Sequence, residues 1–316
     1  MLPTFADPKT DFVFKRIFGA AERKPLLIAL LNDLLELEGE HRILDLQHLS
    51  LEQHVAVPEL KLSIVDVKCT DASGRRFVVE MQVAKVEGLE KRIVYNASKA
   101  YVMQLRAAEK YPALCDVVGV TICNFKLWPN RIKGDGRYKV PMLSRWRMQE
   151  QHSRKKGLPQ VQYVFLELPK YSAGDDPRTT VDKWAYFFRE ARDLDVVPPA
   201  LSEGPFREAL DVARTASFTA AEWEAYERAK MAEQDARGAL TVAHQEGVAH
   251  GHRSGLVEGK SAAIFAVLSA RGVPVTAEAR ARIESCRDQV MLDRWIARAA
   301  TAGSIEDVFA GSGPGE

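Results

Sequence analysis

Residues 60–84, LKLSIVDVKCTDASGRRFVVEMQVA, hold two short β-branched runs, 60–69 and 76–84, separated by a polar TDASGR segment. Short runs of this composition on either side of a Gly-containing turn predict a β-hairpin. A three-residue loop Ala72-Ser73-Gly74 puts Gly74 at the left-handed position that such loops favour, which pairs Asp71 with Arg75. That register sets Asp66 directly opposite Glu80, and side chains alternate along a strand, so Gln82 shares their face. Val79, Met81 and Val83 then fall on the other face, together with Val65 and Val67.

Two carboxylates opposed on a sheet repel each other unless something positive lies between them. Lys68 is the nearest cation on that face, but it points toward Val78. A divalent ion is one solution, since Mg²⁺ commonly takes one or two carboxylates together with water and substrate phosphates. The other reading of the residues is a polar pair at a sheet edge that holds no ligand.

Working outward, residues 11–37 carry apolar residues at helical spacing (Phe14, Ile17, Phe18, Leu27, Leu30, Leu31, Leu34), and residues 89–111 read as another helix. Residues 116–125 and 161–168 are nearly continuous apolar runs, as expected of buried strands. This alternation predicts an α/β unit on a mixed sheet. After Pro198-Pro199 the composition shifts to Ala, Glu and Arg, and glycine recurs at 247, 251, 255 and 259. That spacing allows close helix approach, and it equally describes a flexible linker. Gly272 and Pro274 divide a helical tail in which Trp295 is a candidate core residue. The expected organisation is therefore 1–197, 198–260 and 261–316.

Composition sets limits. The chain has 316 residues with 44 Lys+Arg against 43 Asp+Glu, which excludes a wholly basic DNA-coating protein but not local patches. No apolar run approaches the ~20 residues of a membrane span. Asp7 and Asp11 stand where a secretory signal would need an apolar core, so a cytoplasmic protein without membrane partners is expected. The four cysteines form no CxxC pair and are expected to be reduced, and His244, His250 and His252 read as a solvated helix face.

Asp66 followed by Glu80-Met81-Gln82 resembles the PD-(D/E)xK nuclease signature, with Gln in place of Lys. The chain further resembles the Rpn-type recombination-promoting nucleases, the PD-(D/E)xK family of transposase-like proteins. It shares the opening Asp11-Phe12-Val13-Phe14-Lys15-Arg16-Ile17-Phe18-Gly19, then Arg92, Tyr95, Tyr101 and Gln104 in an R-x-x-Y…Y-x-x-Q pattern. Asp182-Lys183-Trp184-Ala185-Tyr186-Phe187, the segment 220–226 and the repeat from Glu246-Gly247 continue the likeness. The resemblance implies a restriction-endonuclease-like mixed sheet flanked by helices, with an all-helical C-terminal extension. It also implies a metal-dependent DNA endonuclease associated with recombination. Asp66, Glu80 and the Met81 carbonyl would hold Mg²⁺ (or Mn²⁺), and Gln82 would orient the attacking water. Asp11, Arg92 and Gln104 are expected as catalytic support, although Asp11 also suits a helix N-cap.

DNA calls for a cationic surface. Residues 131–156 carry a net charge of +7, with Tyr138 and Trp146 interleaved. Arg131, Lys133, Arg137, Arg145 and Arg147, with Lys15 and Arg16 of the opening motif, are the expected DNA contacts; a solvated loop is the other reading of the basic run. A catalytically weak DNA-binding or assembly protein is the alternative function, because Gln82 brings no positive charge to a transition state. A homodimer through the C-terminal helical region is expected.

Overall fold

The computed structural model describes residues 3–53, 63–105, 108–133 and 136–310. The chain divides into two compact units, Met1–Gln234 and Asp235–Glu316. The first is built on strands β1 (Leu46–His48), β4 (Val67–Asp71), β5 (Arg76–Gln82), β6 (Val117–Cys123), β7 (Leu143–Gln149) and β8 (Gly157–Glu167), while β2 (Glu52–Gln53) and β3 (Ser63–Ile64) form a separate two-stranded ladder. The six-stranded sheet has the order β1-β4-β5-β6-β8-β7. Its central pairs β5·β6 and β6·β8 are parallel, and β1·β4, β4·β5 and β7·β8 are antiparallel. This is the mixed sheet flanked by helices that the sequence resemblance implies.

The hairpin has the register its turn predicts. Val67 pairs with Val79 and Cys69 with Phe77, the Asp71 N–H reaches the Arg75 carbonyl at 3.0 Å, and Gly74 sits at φ +85°. Asp71 fixes the turn, its Oδ1 accepting from the Ser73 and Arg75 backbone N–H groups at 2.9 and 3.0 Å. The run 60–69 is not one strand, however; residues 60–62 lie outside the described residues. Ser63–Ile64 pairs with β2, and the chain leaves the strand conformation at Val65-Asp66 before β4 begins. The irregularity turns Val65 away from Val67: it packs with Val78 and Ala97 on the opposite face.

The sheet's two faces are covered unequally. Phe77, Val79, Met81, Val118, Val120, Ile122, Val164 and Leu166 face the main core. There they meet α1 (Asp11–Phe18), α2 (Lys24–Leu35), α4 (Thr180–Glu190) and α5 (Gly204–Ala213). The helical pattern over 11–37 is two helices, because Gly19 ends the first and Pro25 suits the opening turn of the second. The other face carries the single helix α3 (Leu89–Val102), packed through Leu89, Ile93, Ala97 and Ala100. It stops short of residue 111, and of the expected span 106–107 lies outside the described residues.

Two strands of the six-stranded sheet escaped the sequence. β1 has three residues, and β7 lies inside the basic segment, with its second half exposed. Arg145 and Arg147 of β7 alternate with Trp146 and Met148, a pattern masked by the surrounding run of basic residues. The break at Pro198-Pro199 also differs from where the compact units divide. Phe206, Leu210 and Ala213 of α5 and Tyr226 of the long helix α6 (Ala220–Ala270) are buried in the first unit's core, which carries that unit to Gln234.

In the second unit, the end of α6 packs with α7 (Ala277–Ser285), α8 (Gln289–Ala299) and α9 (Ile305–Phe309) around Ile264, Leu268, Ile283, Leu292, Trp295 and Val308. Gly272, at φ +70°, supplies the left-handed turn after α6. The glycine repeat lies inside α6, where every residue from Gln234 to Leu256 is exposed. All four cysteines are free.

Candidate active site

Asp66 sits at the bend where the hairpin's first strand departs from β5. Narrow backbone pairs fall on odd-numbered residues of β5, so the Met81 N–H and carbonyl both point toward β4, which begins only at Val67. The Asp66 carboxylate fills part of that gap, its Oδ2 accepting the Met81 N–H at 2.8 Å. The Met81 carbonyl is left facing the same side.

Glu80 projects from the middle of β5 toward α3 and is buried, 6 % exposed. Both of its oxygens are held: Oε1 accepts from Asn96 Nδ2 at 2.6 Å and Oε2 from Gln82 Nε2 at 2.9 Å. Gln82 is in turn engaged at its other end, its Oε1 accepting from Arg92 Nη2 at 2.5 Å. Arg92 and Asn96 lie one turn apart on α3, so a single helix face supplies both contacts. The cation missing at position 82 thus stands one hydrogen bond further back, on the helix.

Burial raises both carboxyl groups. Asp66 is pushed up to about 6, first by desolvation; the Met81 N–H and Lys15 oppose the rise, while Glu80 and Asp11 add to it. Desolvation also raises Glu80, against hydrogen bonds from Asn96 and Gln82 and the charge of Arg92. Lys15 and Arg92 thus offset only part of the desolvation of the two carboxyls, and the donor set is all oxygen. Such a set fits a hard divalent cation. Among the described residues no three His, Cys, Asp or Glu side chains are grouped to enclose an ion on their own. An ion at this place would complete its shell with water, a backbone carbonyl or substrate oxygens.

The other residues singled out in the sequence are distributed unevenly. Asp11 does not cap α1, whose N-cap is Thr10; it is the first helical residue, paired with Lys15 Nζ at 2.7 Å and close enough to Asp66 to influence it. Gln104 is not at the site. It clasps the Cys115 backbone through two 2.8 Å hydrogen bonds beyond the far end of α3, a structural role. Arg16 is buried against α6, paired with Glu222, donating to the Val212 carbonyl at 3.2 Å and lying over the Phe218 ring. Arg145 likewise bonds the Leu34 carbonyl and Glu36 at 2.9 and 2.8 Å. Arg16 is thus committed to packing, with its side chain 9 % exposed, whereas Arg145 keeps an exposed side chain beside Glu36. Arg131 lies over the Tyr138 ring and donates to its hydroxyl at 3.0 Å, and Lys133, Arg137 and Arg147 are exposed. Trp146 does not stand free: it stacks on Trp128 with ring centroids 4.7 Å apart.

Asn96 is the site residue that sequence reasoning missed. Its signal was present as the position four residues after Arg92 on the same predicted helix, but a lone Asn on a packed face reads as core.

The mixed sheet thus gathers a carboxylate on its central strand, a second at the adjoining strand break, and an amide two residues on. The family model for the PD-(D/E)XK nuclease family transposase matches residues 8–243, three quarters of the chain, and the chain belongs to that family. Membership marks a nuclease of transposase-like type, a class that acts on DNA and generally uses divalent metal ions. No curated protein and no solved structure matches the chain significantly. No helix among the described residues is long and apolar enough to cross a membrane.

Proposed function

We propose that the protein is a Mg²⁺-dependent DNA endonuclease associated with recombination, in which Asp66, Glu80 and the Met81 carbonyl hold the ion. The observation that carries this reading is the placing of the half-buried Asp66, held by the Met81 N–H, beside the buried Glu80, with desolvation raising both carboxyls. A divalent ion there supplies polarisation of the scissile phosphoryl oxygen and a more acidic bound water. Mn²⁺ meets the same oxygen donors.

The chain's own residues then divide the work. Asn96 and Gln82 each donate one N–H to Glu80, fixing its carboxylate plane and favouring its charged form. Gln82 Nε2 has a second N–H, suited to orienting the attacking water. Arg92 holds Gln82 in that orientation and brings positive charge near the site. The test is plasmid cleavage with and without Mg²⁺ by wild type, Asp66→Ala and Glu80→Ala: loss of nicking in both variants supports the assignment, and equal nicking by all three refutes it.

Self-association through α6 belongs to the same reading. A helix exposed from Gln234 to Leu256, with open space beside Gly247, Gly251 and Gly255, gains little from its own propensity, since each interior Gly costs ~1 kcal/mol. Pairing with a second copy would cover Leu240 and Val248, both more than half exposed. Light scattering of the full chain at the mass of a dimer supports this, and a monomer at all concentrations contradicts it.

A further inference from the structure

A second feature of the first unit lies beside the carboxylates and has no part in holding them. Between α1 and the opening turns of α6 runs a cleft of about 610 Å³, lined by Asp11, Lys15, Arg16, Arg23, Glu222 and Arg228 among others. Its charge is unequally shared. Arg16 and Glu222 neutralise each other in the wall, and Glu222 is further committed to the Thr219 N–H at 2.8 Å. Lys15 is matched by Asp11 at 2.7 Å. Arg23 meets only a neutral oxygen, donating from Nη1 to the Arg16 carbonyl at 2.8 Å, and Arg228 has one loose contact, 3.7 Å to an exposed Glu224 on its own helix. The cleft is therefore an acid–base wall with two surplus guanidinium groups, one from each side.

The cleft shares α1 with the surroundings of the carboxylate pair. Asp11 and Lys15 line it, and both act on the Asp66 carboxyl. A strand of nucleic acid whose reacting phosphate lies at Asp66 and Glu80 would have its next phosphates within reach of this groove. Guanidinium groups offer paired donors to phosphate oxygens, whereas a neutral or cationic ligand gains nothing from them.

We propose that the α1–α6 cleft seats the DNA backbone beside the reacting phosphate, with Arg23 and Arg228 as its phosphate contacts. This rests on the nuclease reading and moves the principal backbone contact away from the basic strand β7. The contact carries no base reading; it positions the strand.

The test uses the full chain in a Glu80→Gln background with Mg²⁺, measuring fluorescence anisotropy of a labelled duplex across a NaCl series. Arg23→Ala and Arg228→Ala are each expected to flatten the slope of log K against log salt by about 0.9, and the double variant by about twice that. Arg23 also ties down the Arg16 carbonyl, so Arg228→Glu, on an exposed helix position, is the variant that changes charge without touching packing. Arg178→Ala, a highly exposed arginine outside the cleft, should leave the slope unchanged. Unaltered slopes in Arg228→Ala and Arg228→Glu, with plasmid cleavage intact when Glu80 is present, would overturn the cleft assignment and leave the nuclease standing. Absence of both DNA affinity and cleavage in the wild-type chain would overturn both.

Discussion

The Asp66 carboxylate accepts the Met81 N–H at 2.8 Å, so the place where β4 parts from β5 is closed by a side chain rather than by a strand. The same bond brings Asp66 beside Glu80 on β5. A backbone irregularity and a functional constellation thus occupy one position, and both depend on an ionisable group that burial makes reluctant to ionise.

That reluctance has a stability consequence. Asp66 has a raised pKa, about 6 in the folded chain, so the folded state holds its proton more tightly than the unfolded state. Its favourable contribution is complete below the unfolded value near 3.8 and is lost as pH rises through about 6. Asp66→Asn keeps an oxygen for the Met81 N–H without the charge. It should therefore melt above wild type at pH 8, by an amount bounded at about 3 kcal/mol for a shift of this size, and the gain should vanish near pH 4. Thermal melts at the two pH values check this.

Metal binding should follow the same ionisations with the opposite benefit. Both carboxyl groups are raised, so the ion must displace protons at mildly acidic pH. Affinity for Mg²⁺ should climb as pH rises through about 6 and then level, as Asp66 becomes ionised without it. Calorimetry in two buffers of different ionisation enthalpy should show proton release at pH 6 and much less at pH 8.

Gln82 and Arg92 should behave as one unit. Gln82→Ala removes a hydrogen bond to Glu80 and disconnects Arg92, and both losses raise the Glu80 carboxyl further. Cleavage by this variant should fall about tenfold or more at neutral pH and its pH–rate profile should shift upward. Arg92→Ala should shift it in the same direction by less. A profile unmoved in both would remove these residues from the reaction.

Gln104→Ala and Arg16→Ala should separate packing from chemistry. Gln104 satisfies two backbone groups of Cys115, and losing it should cost about 1–3 kcal/mol in a denaturant melt. Arg16, with its side chain 9 % exposed and paired to Glu222, should cost roughly 3 kcal/mol. Cleavage per folded molecule should be little changed in Gln104→Ala.

Much of this site was legible in the sequence because a hairpin register is arithmetic. Once Gly74 fixes the turn, Asp66, Glu80 and Gln82 follow by alternation, and the structure pairs Val67 with Val79 as that requires. What alternation cannot show is where a strand stops. The bend at Val65-Asp66 moved Val65 to the other face and gave Asp66 its backbone partner. The basic run was less legible: charge in sequence says nothing about which neighbour a guanidinium meets, and Arg145 meets the carbonyl of Leu34 as well as Glu36. Arg16 was lost to Glu222, more than two hundred residues away, a contact no local pattern encodes.

The central claim is that Asp66 and Glu80 together hold a divalent ion that cuts DNA. Nicking of supercoiled plasmid by wild type, Asp66→Asn and Glu80→Gln over a Mg²⁺ titration tests it most directly, because both variants keep the size of the side chain and remove its charge. The account predicts Mg²⁺-dependent nicking by wild type and a loss of at least about a hundredfold in each variant, with both still folded. Nicking by either variant at the wild-type rate, or by wild type in EDTA, would contradict it.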